Sequence, residues 1–174
     1  REALRFFEKT LKKRPQSAMA HRDVGHAAFH LQDTAAAAEH YREALKILPA
    51  LLDVHYNLGL IHLSRGHVND ALAEFTESIR LLHPLVSGRY YLGLFHSEET
   101  LTLQCRLNLG ILFRQRGELE RAIEQYRLIL KEFPKNVLAL GNMGDCFLAL
   151  ERYEEAVRFY RQVINLLPEG ADRL

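Results

Sequence analysis

Asn108-Leu109-Gly110-Ile111-Leu112-Phe113-Arg114-Gln115-Arg116-Gly117-Glu118-Leu119-Glu120-Arg121-Ala122-Ile123-Glu124-Gln125-Tyr126 is the stretch on which the reading of this chain turns. Its apolar residues recur at three- and four-residue intervals, as in Leu119, Ile123 and Tyr126, continued by Leu130 just beyond it, which is the period of a helix with one buried face. Arg116-Gly117-Glu118 interrupts that period and marks a turn, so the stretch reads as two helices folded back on each other. Pro134 follows Tyr126 by eight residues and cannot continue the second helix.

The same frame recurs along the chain. Gly25 and Gly59 are 34 residues apart, as are Gly110 and Gly144. Each glycine closes a similar triplet: Asp23-Val24-Gly25, Asn57-Leu58-Gly59, Asn108-Leu109-Gly110 and Asn142-Met143-Gly144. Twelve residues after each comes Ala37, Ala71, Ala122 or Ala156, and four later Tyr41, Phe75, Tyr126 or Tyr160. Pro49, Pro134 and Pro168 close three of the four units, while the second has His83 there and Pro84 one step late. Self-similarity at such a period is the mark of a repeat architecture.

The register breaks once. Gly59 and Gly110 stand 51 residues apart, which is one period plus 17, and Ala71 and Phe75 still keep phase with Gly59. The extra residues therefore fall between about His83 and Arg106. The expected division is a half repeat over 1–16, repeats over 18–51 and 52–84, an insert over 85–102, repeats over 103–136 and 137–170, and the start of another at 171–174. Both ends fall in mid-repeat, which predicts an excerpt from a longer array whose end faces are covered by further repeats, another domain or self-association.

A glycine, a downstream alanine, an aromatic and a closing proline over 34 residues resemble the tetratricopeptide repeat family. The resemblance implies an all-α, right-handed superhelical solenoid of antiparallel hairpins, first helices lining a concave groove and second helices forming the outer wall. Helices are expected at about 1–13, 17–31, 34–48, 51–65, 68–82, 98–116, 119–133, 136–150 and 153–167, with no sheet.

The resemblance also implies where a partner lies. The groove-facing positions of a first helix in this family fall here on Arg22, Asp23, His26, His30, Tyr56, Asn57, Leu60, Ser64, Asn108, Ile111, Gln115, Asn142 and Asp145. An amide offers both a donor and an acceptor, so Asn57, Asn108 and Asn142 can bond successive peptide groups of an extended ligand. The competing reading gives them only local hydrogen bonds, and Asp23 breaks the row. Members that clamp a chaperone tail's carboxylate need a second pair of cations. Here the matching residues are Arg22 and His26, then Asn57, then Gln104 and Asn108, which disfavours that ligand.

Other chemistry finds little in the sequence. With 23 Lys and Arg against 22 Asp and Glu, the charge balance lacks the basic excess that phosphate binding requires, so nucleic acid is not expected. No apolar run approaches a bilayer span, so no membrane partner is expected either. Cys105 and Cys146 fit neither a disulfide framework nor a zinc motif, favouring a reduced, cytoplasmic setting and inert thiols. His26 and His30 lie one helical turn apart with Asp23 on the same face, but ligand contact or a solvated wall is the better reading, so no metal site is assigned. No phosphate loop, nucleophile elbow or cofactor motif is present, so neither catalysis nor a cofactor is expected.

Within the insert, Tyr90, Tyr91 and Phe95 form either a second docking surface or, more cheaply, extra core. Ser97-Glu98-Glu99-Thr100 resembles a helix start, so the next helix should be longer than its siblings. The expected function is a scaffold that binds a peptide segment or partner protein in the groove. The alternative is the substrate-recognition region of a larger enzyme, such as a glycosyltransferase or hydroxylase.

Overall fold

The computed structural model describes residues 2–81 and 98–167. Tyr90, Tyr91 and Phe95, and with them the second-surface reading, lie outside the described residues, as do 171–174. The described residues form helices α1 (Glu2–Lys13), α2 (Ala18–His30), α3 (Thr34–Ile47), α4 (Leu52–Ser64), α5 (Val68–Leu81), α6 (Glu98–Gln115), α7 (Leu119–Glu132), α8 (Val137–Ala149) and α9 (Tyr153–Leu166). No strand occurs among them. Every helix falls within two residues of its expected span, and α6, at 18 residues, exceeds the 12 to 14 of the others.

The chain divides into two compact units, residues 1–101 and 102–174. In the first, α2 packs on α3 and α4 on α5, with α1 against α2 and α3 against α4. In the second, α8 packs on α9 and α7 on α8. Ser17, Asp33 and Asn136 cap the N-termini of α2, α3 and α8, each accepting from the backbone N–H three residues on at 3.2, 3.0 and 2.9 Å.

The 34-residue pattern has a direct steric cause. A β-carbon added at Gly25, Gly59, Gly110 or Gly144 would come 2.6, 2.7, 2.5 or 2.7 Å from the ring of Tyr41, Phe75, Tyr126 or Tyr160 respectively. The aromatic lies on the glycine itself, and the missing side chain is the socket for the ring. Ala37, Ala71 and Ala122 are fully buried one turn before their rings.

A second contact recurs across the hairpins. His21 Nδ1 lies 3.1 Å from His40 Nδ1, His55 Nδ1 2.6 Å from Glu74 Oε2, and Arg106 Nη1 3.5 Å from Gln125 Oε1, each pair 19 residues apart. The other ring nitrogen of His21 and of His55 faces the carbonyl of Pro15 and Pro49, at 3.2 and 2.9 Å. Each imidazole therefore ties its hairpin to the loop that precedes it.

Candidate partner-binding surface

In the first unit the first-helix residues close upon themselves. Arg22 donates to Asp23 Oδ1 from Nε at 3.1 Å and from Nη2 at 2.9 Å. Asp53 Oδ2 lies 3.9 Å from Arg22 Nε and 3.6 Å from His26 Nε2. Asn57 donates from Nδ2 to the Asp53 carbonyl at 2.8 Å and meets His26 Nε2 at 3.2 Å. That contact makes His26 Nε2 an acceptor, which places the proton of the neutral ring on Nδ1. Burial holds His26 below the ordinary imidazole range; the Asp53 carboxylate opposes this and the Arg22 guanidinium adds to it. Arg22, His26, Asp53 and Asn57 are all buried.

Two carboxylates thus surround one guanidinium, and the side chain best placed to receive a terminal carboxylate is already paired. Asp53 takes part in this cluster although sequence reasoning passed over it. It stands at the second position of its repeat, but nothing in the sequence indicates that it meets Arg22.

The other expected residues are distributed as follows. Tyr56 is buried, Asp23 and Leu60 are half-buried, and His30 and Ser64 are exposed, with Ser64 Oγ donating to the Ile61 carbonyl at 2.8 Å. In the second unit Asn108, Ile111, Asn142 and Asp145 are half-buried and Gln115 is exposed.

The second unit presents a more open face. Along α8, Leu138, Gly141, Asn142, Asp145 and Leu148 share one side at helical spacing. Leu138 is 63% exposed and Leu148 49%, and a β-carbon at Gly141 would meet nothing within 4 Å. Asn142 donates from Nδ2 to the Leu138 carbonyl at 2.8 Å, the same i−4 bond that Asn57 makes, leaving its carbonyl oxygen to accept. Arg114 of α6 lies 3.5 Å from Asp145, and Tyr160 of α9 donates to Asp145 at 2.8 Å. These ties fix α6 and α9 to the polar centre of the face. Arg114, Tyr160 and Leu138 were not foreseen; Leu138 stands at the second position of its repeat, as Asp53 does.

Among the described residues, no helix is long and apolar enough to cross a membrane.

Comparison with known proteins agrees with the architecture. Residues 107–171 match a tetratricopeptide repeat family model and residues 25–66 a second TPR repeat model, together more than half of the chain. Lipopolysaccharide assembly protein B of Escherichia coli (strain K12) is 31% identical over 72 residues, covering 39% of this chain and 18% of that protein. The BBSome complex member BBS4 of Bos taurus is 28% identical over 155 residues, covering 89% of this chain and 26% of that protein. The chain thus spans a quarter or less of the length of the first of these relatives and about a quarter of the second. Among solved structures, one of MamA superposes with a TM-score of 0.75 at 17% identity, covering 94% of this chain and 85% of that one. One of Pseudomonas aeruginosa pilF gives 0.69 at 20% identity, covering 95% and 68%.

Proposed function

Taking as premise that the chain belongs to the tetratricopeptide repeat family, a family of protein-interaction scaffolds, we propose that it holds a partner as an extended segment laid along the first helices of its hairpins. The observation that carries this reading is the open side of α8. Exposed Leu138 and Leu148 flank the Asn142 amide and Asp145, with Gly141 leaving room for a backbone to approach. Such a strip suits a peptide whose apolar side chains seat at its two ends and whose main chain meets the amide and carboxylate between them.

Asn108, Ile111 and Gln115 extend the same chemistry along α6 in the second unit. In the first unit, the Arg22–Asp23–His26–Asp53–Asn57 network supplies internal stiffness in place of ligand contacts. Pairing of Arg22 with Asp23 argues against capture of a terminal carboxylate. The name of one relative, a BBSome complex member, also fits a role in assembling proteins. In a larger enzyme the same strip would serve to recognise a protein substrate.

A photo-crosslinking amino acid placed at Leu138 tests this, with Arg127 on α7 as the control position. A protein adduct that forms from position 138, fails to form from 127, and weakens at least tenfold in Asn108→Ala/Asn142→Ala is expected. Equal adducts from both positions would remove the first-helix face from consideration.

A further inference from the structure

The hairpin turns share one closure but not one chemistry. At the end of α4, Gly66 takes φ +74, its N–H donates to the Leu63 carbonyl at 3.0 Å, and the N–H of His67 donates to the His62 carbonyl at 2.9 Å. This pair of bonds is the Schellman closure of a helix C-terminus, and it holds residues 62 and 67 side by side.

The same outer bond joins Asp33 to Ala28, Glu118 to Phe113 and Arg152 to Phe147, at 3.0, 2.9 and 2.9 Å. In the last two corners, the residue three places on completes a seal. Arg121 pairs with Glu118 and lies 4.0 Å over the Phe113 ring. Arg152 pairs with Glu155 and lies 4.7 Å over the Phe147 ring. An aromatic ring and an ion pair thus close each corner. At the α4–α5 corner the equivalent three positions hold His62, His67 and Asp70.

Here nothing seals. The two imidazoles stand 5.9 Å apart between ring centres. Asp70 Oδ2 lies 3.7 Å from His62 Nδ1 and 3.9 Å from His67 Nδ1, too far to hydrogen-bond either. The three ligand atoms all lie within 4.8 Å of one another. His62 Nδ1 is buried with no hydrogen-bond partner among the described residues, whereas His67 and Asp70 are exposed and open to an incoming ion.

We propose that His62, His67 and Asp70 bind a divalent transition-metal ion of the zinc class. Two imidazoles and one carboxylate suit such an ion, whereas calcium and magnesium take oxygen donors. With metal–ligand bonds of about 2.0–2.2 Å, ligand atoms around a tetrahedral ion stand roughly 3.4 Å apart. Closing the two shorter separations asks a few tenths of an ångström of exposed side chains, and the third requires a larger swing of His67. Water completes the coordination on the solvent side. The ion would clip the last turn of α4 to the first turn of α5, as the aromatic and ion pair do at the α6–α7 and α8–α9 corners. His21 and His40 bring two imidazoles still closer, but their facing nitrogens already bond each other and His21 also bonds the Pro15 carbonyl. No third ligand joins them among the described residues.

Titration calorimetry with Zn2+ on the whole chain tests the site, with Co2+ absorption reporting the coordination. One ion bound per chain is expected, with affinity at least tenfold weaker in His67→Gln, in Asp70→Asn and in His62→Gln, and unchanged in His40→Gln. The visible Co2+ bands should disappear in His67→Gln. Zn2+ that fails to bind, or that binds His67→Gln and Asp70→Asn as it binds the unaltered chain, overturns the proposal. His67 and Asp70 sit on the surface, so their metal-free variants keep the melting midpoint and remain decisive if His62→Gln does not fold.

Discussion

The ring of Tyr126 occupies the space that a side chain on Gly110 would need: a β-carbon there would stand 2.5 Å from Tyr126 Cε1 and Cζ. Tyr126 is fully buried, so the ring cannot step aside without displacing its own neighbours. The glycine is fixed by packing between two helices, while its own helix would prefer alanine.

Two glycines of similar helical setting should therefore respond in opposite directions. Gly110→Ala should lower stability by about 1–3 kcal/mol, since overpacking outweighs the gain in helix propensity. Gly141→Ala, with open space around it, should raise stability by roughly 0.5–1 kcal/mol. Urea unfolding of the two variants checks the pair, and a gain at Gly110 would contradict the register.

Tyr41 sits in the same socket of the first full repeat, and its hydroxyl is buried without a hydrogen-bond partner among the described residues. The equivalent residue of the next repeat is Phe75, which has no hydroxyl to satisfy. Tyr41→Phe should leave stability unchanged or raise it by up to about 1 kcal/mol. A loss of more than that in thermal unfolding would show that the hydroxyl has a partner.

Burial makes His26 harder to protonate than it is in the unfolded chain, where an imidazole titrates near its ordinary value of about 6.5. With the folded value below the unfolded one, the unfolded state binds more protons in acid, so this residue withdraws stability as pH falls below about 6.5. Comparing urea midpoints at pH 7.5 and pH 5.5 should show a smaller acid loss in His26→Gln than in the unaltered chain. An identical loss in both would detach the effect from this ring.

His55 has the opposite sign. Burial alone would lower its pKa, but the hydrogen bonds with Glu74 and the Pro49 carbonyl, together with the nearby Glu74 and Glu77 carboxylates, raise it. Both ring nitrogens face acceptors, so the doubly protonated ring fits best. Its contribution is fully present below the unfolded value of 6.5 and lost as pH rises past the folded one. His55→Gln should accordingly destabilise the chain more at pH 6 than at pH 8.5, which denaturation at the two pH values measures.

Both thiols should be inert in the folded chain. Cys105 and Cys146 are fully buried, and burial pushes the Cys146 thiol up to about 11, leaving little thiolate at neutral pH. Iodoacetamide at pH 7.5 should label neither until urea is added, when both react. Prompt labelling without urea would mean that a hairpin opens readily.

By itself the sequence determined the helices and their phase. Gly25, Gly59, Gly110 and Gly144 each serve an aromatic 16 residues on, and a turn lies between the two, so packing and connectivity are written at short range and repeat with the period. Asn57 and Asn142, which the sequence puts at one repeat position, share an i−4 bond to their own helix. What the sequence could not supply was which residues from different hairpins meet. Only the tertiary structure brought Asp53 to Arg22 and His26, linked Arg114 and Tyr160 through Asp145, and left Leu138 and Leu148 open. The same holds for His62, His67 and Asp70: they lie close in sequence, yet only the αL turn at Gly66, read beside the sealed corners at Phe113 and Phe147, distinguishes them. Periodicity reports which side of a helix is buried. The partner of a charge depends on the distance and angle between helices, which single residues do not encode.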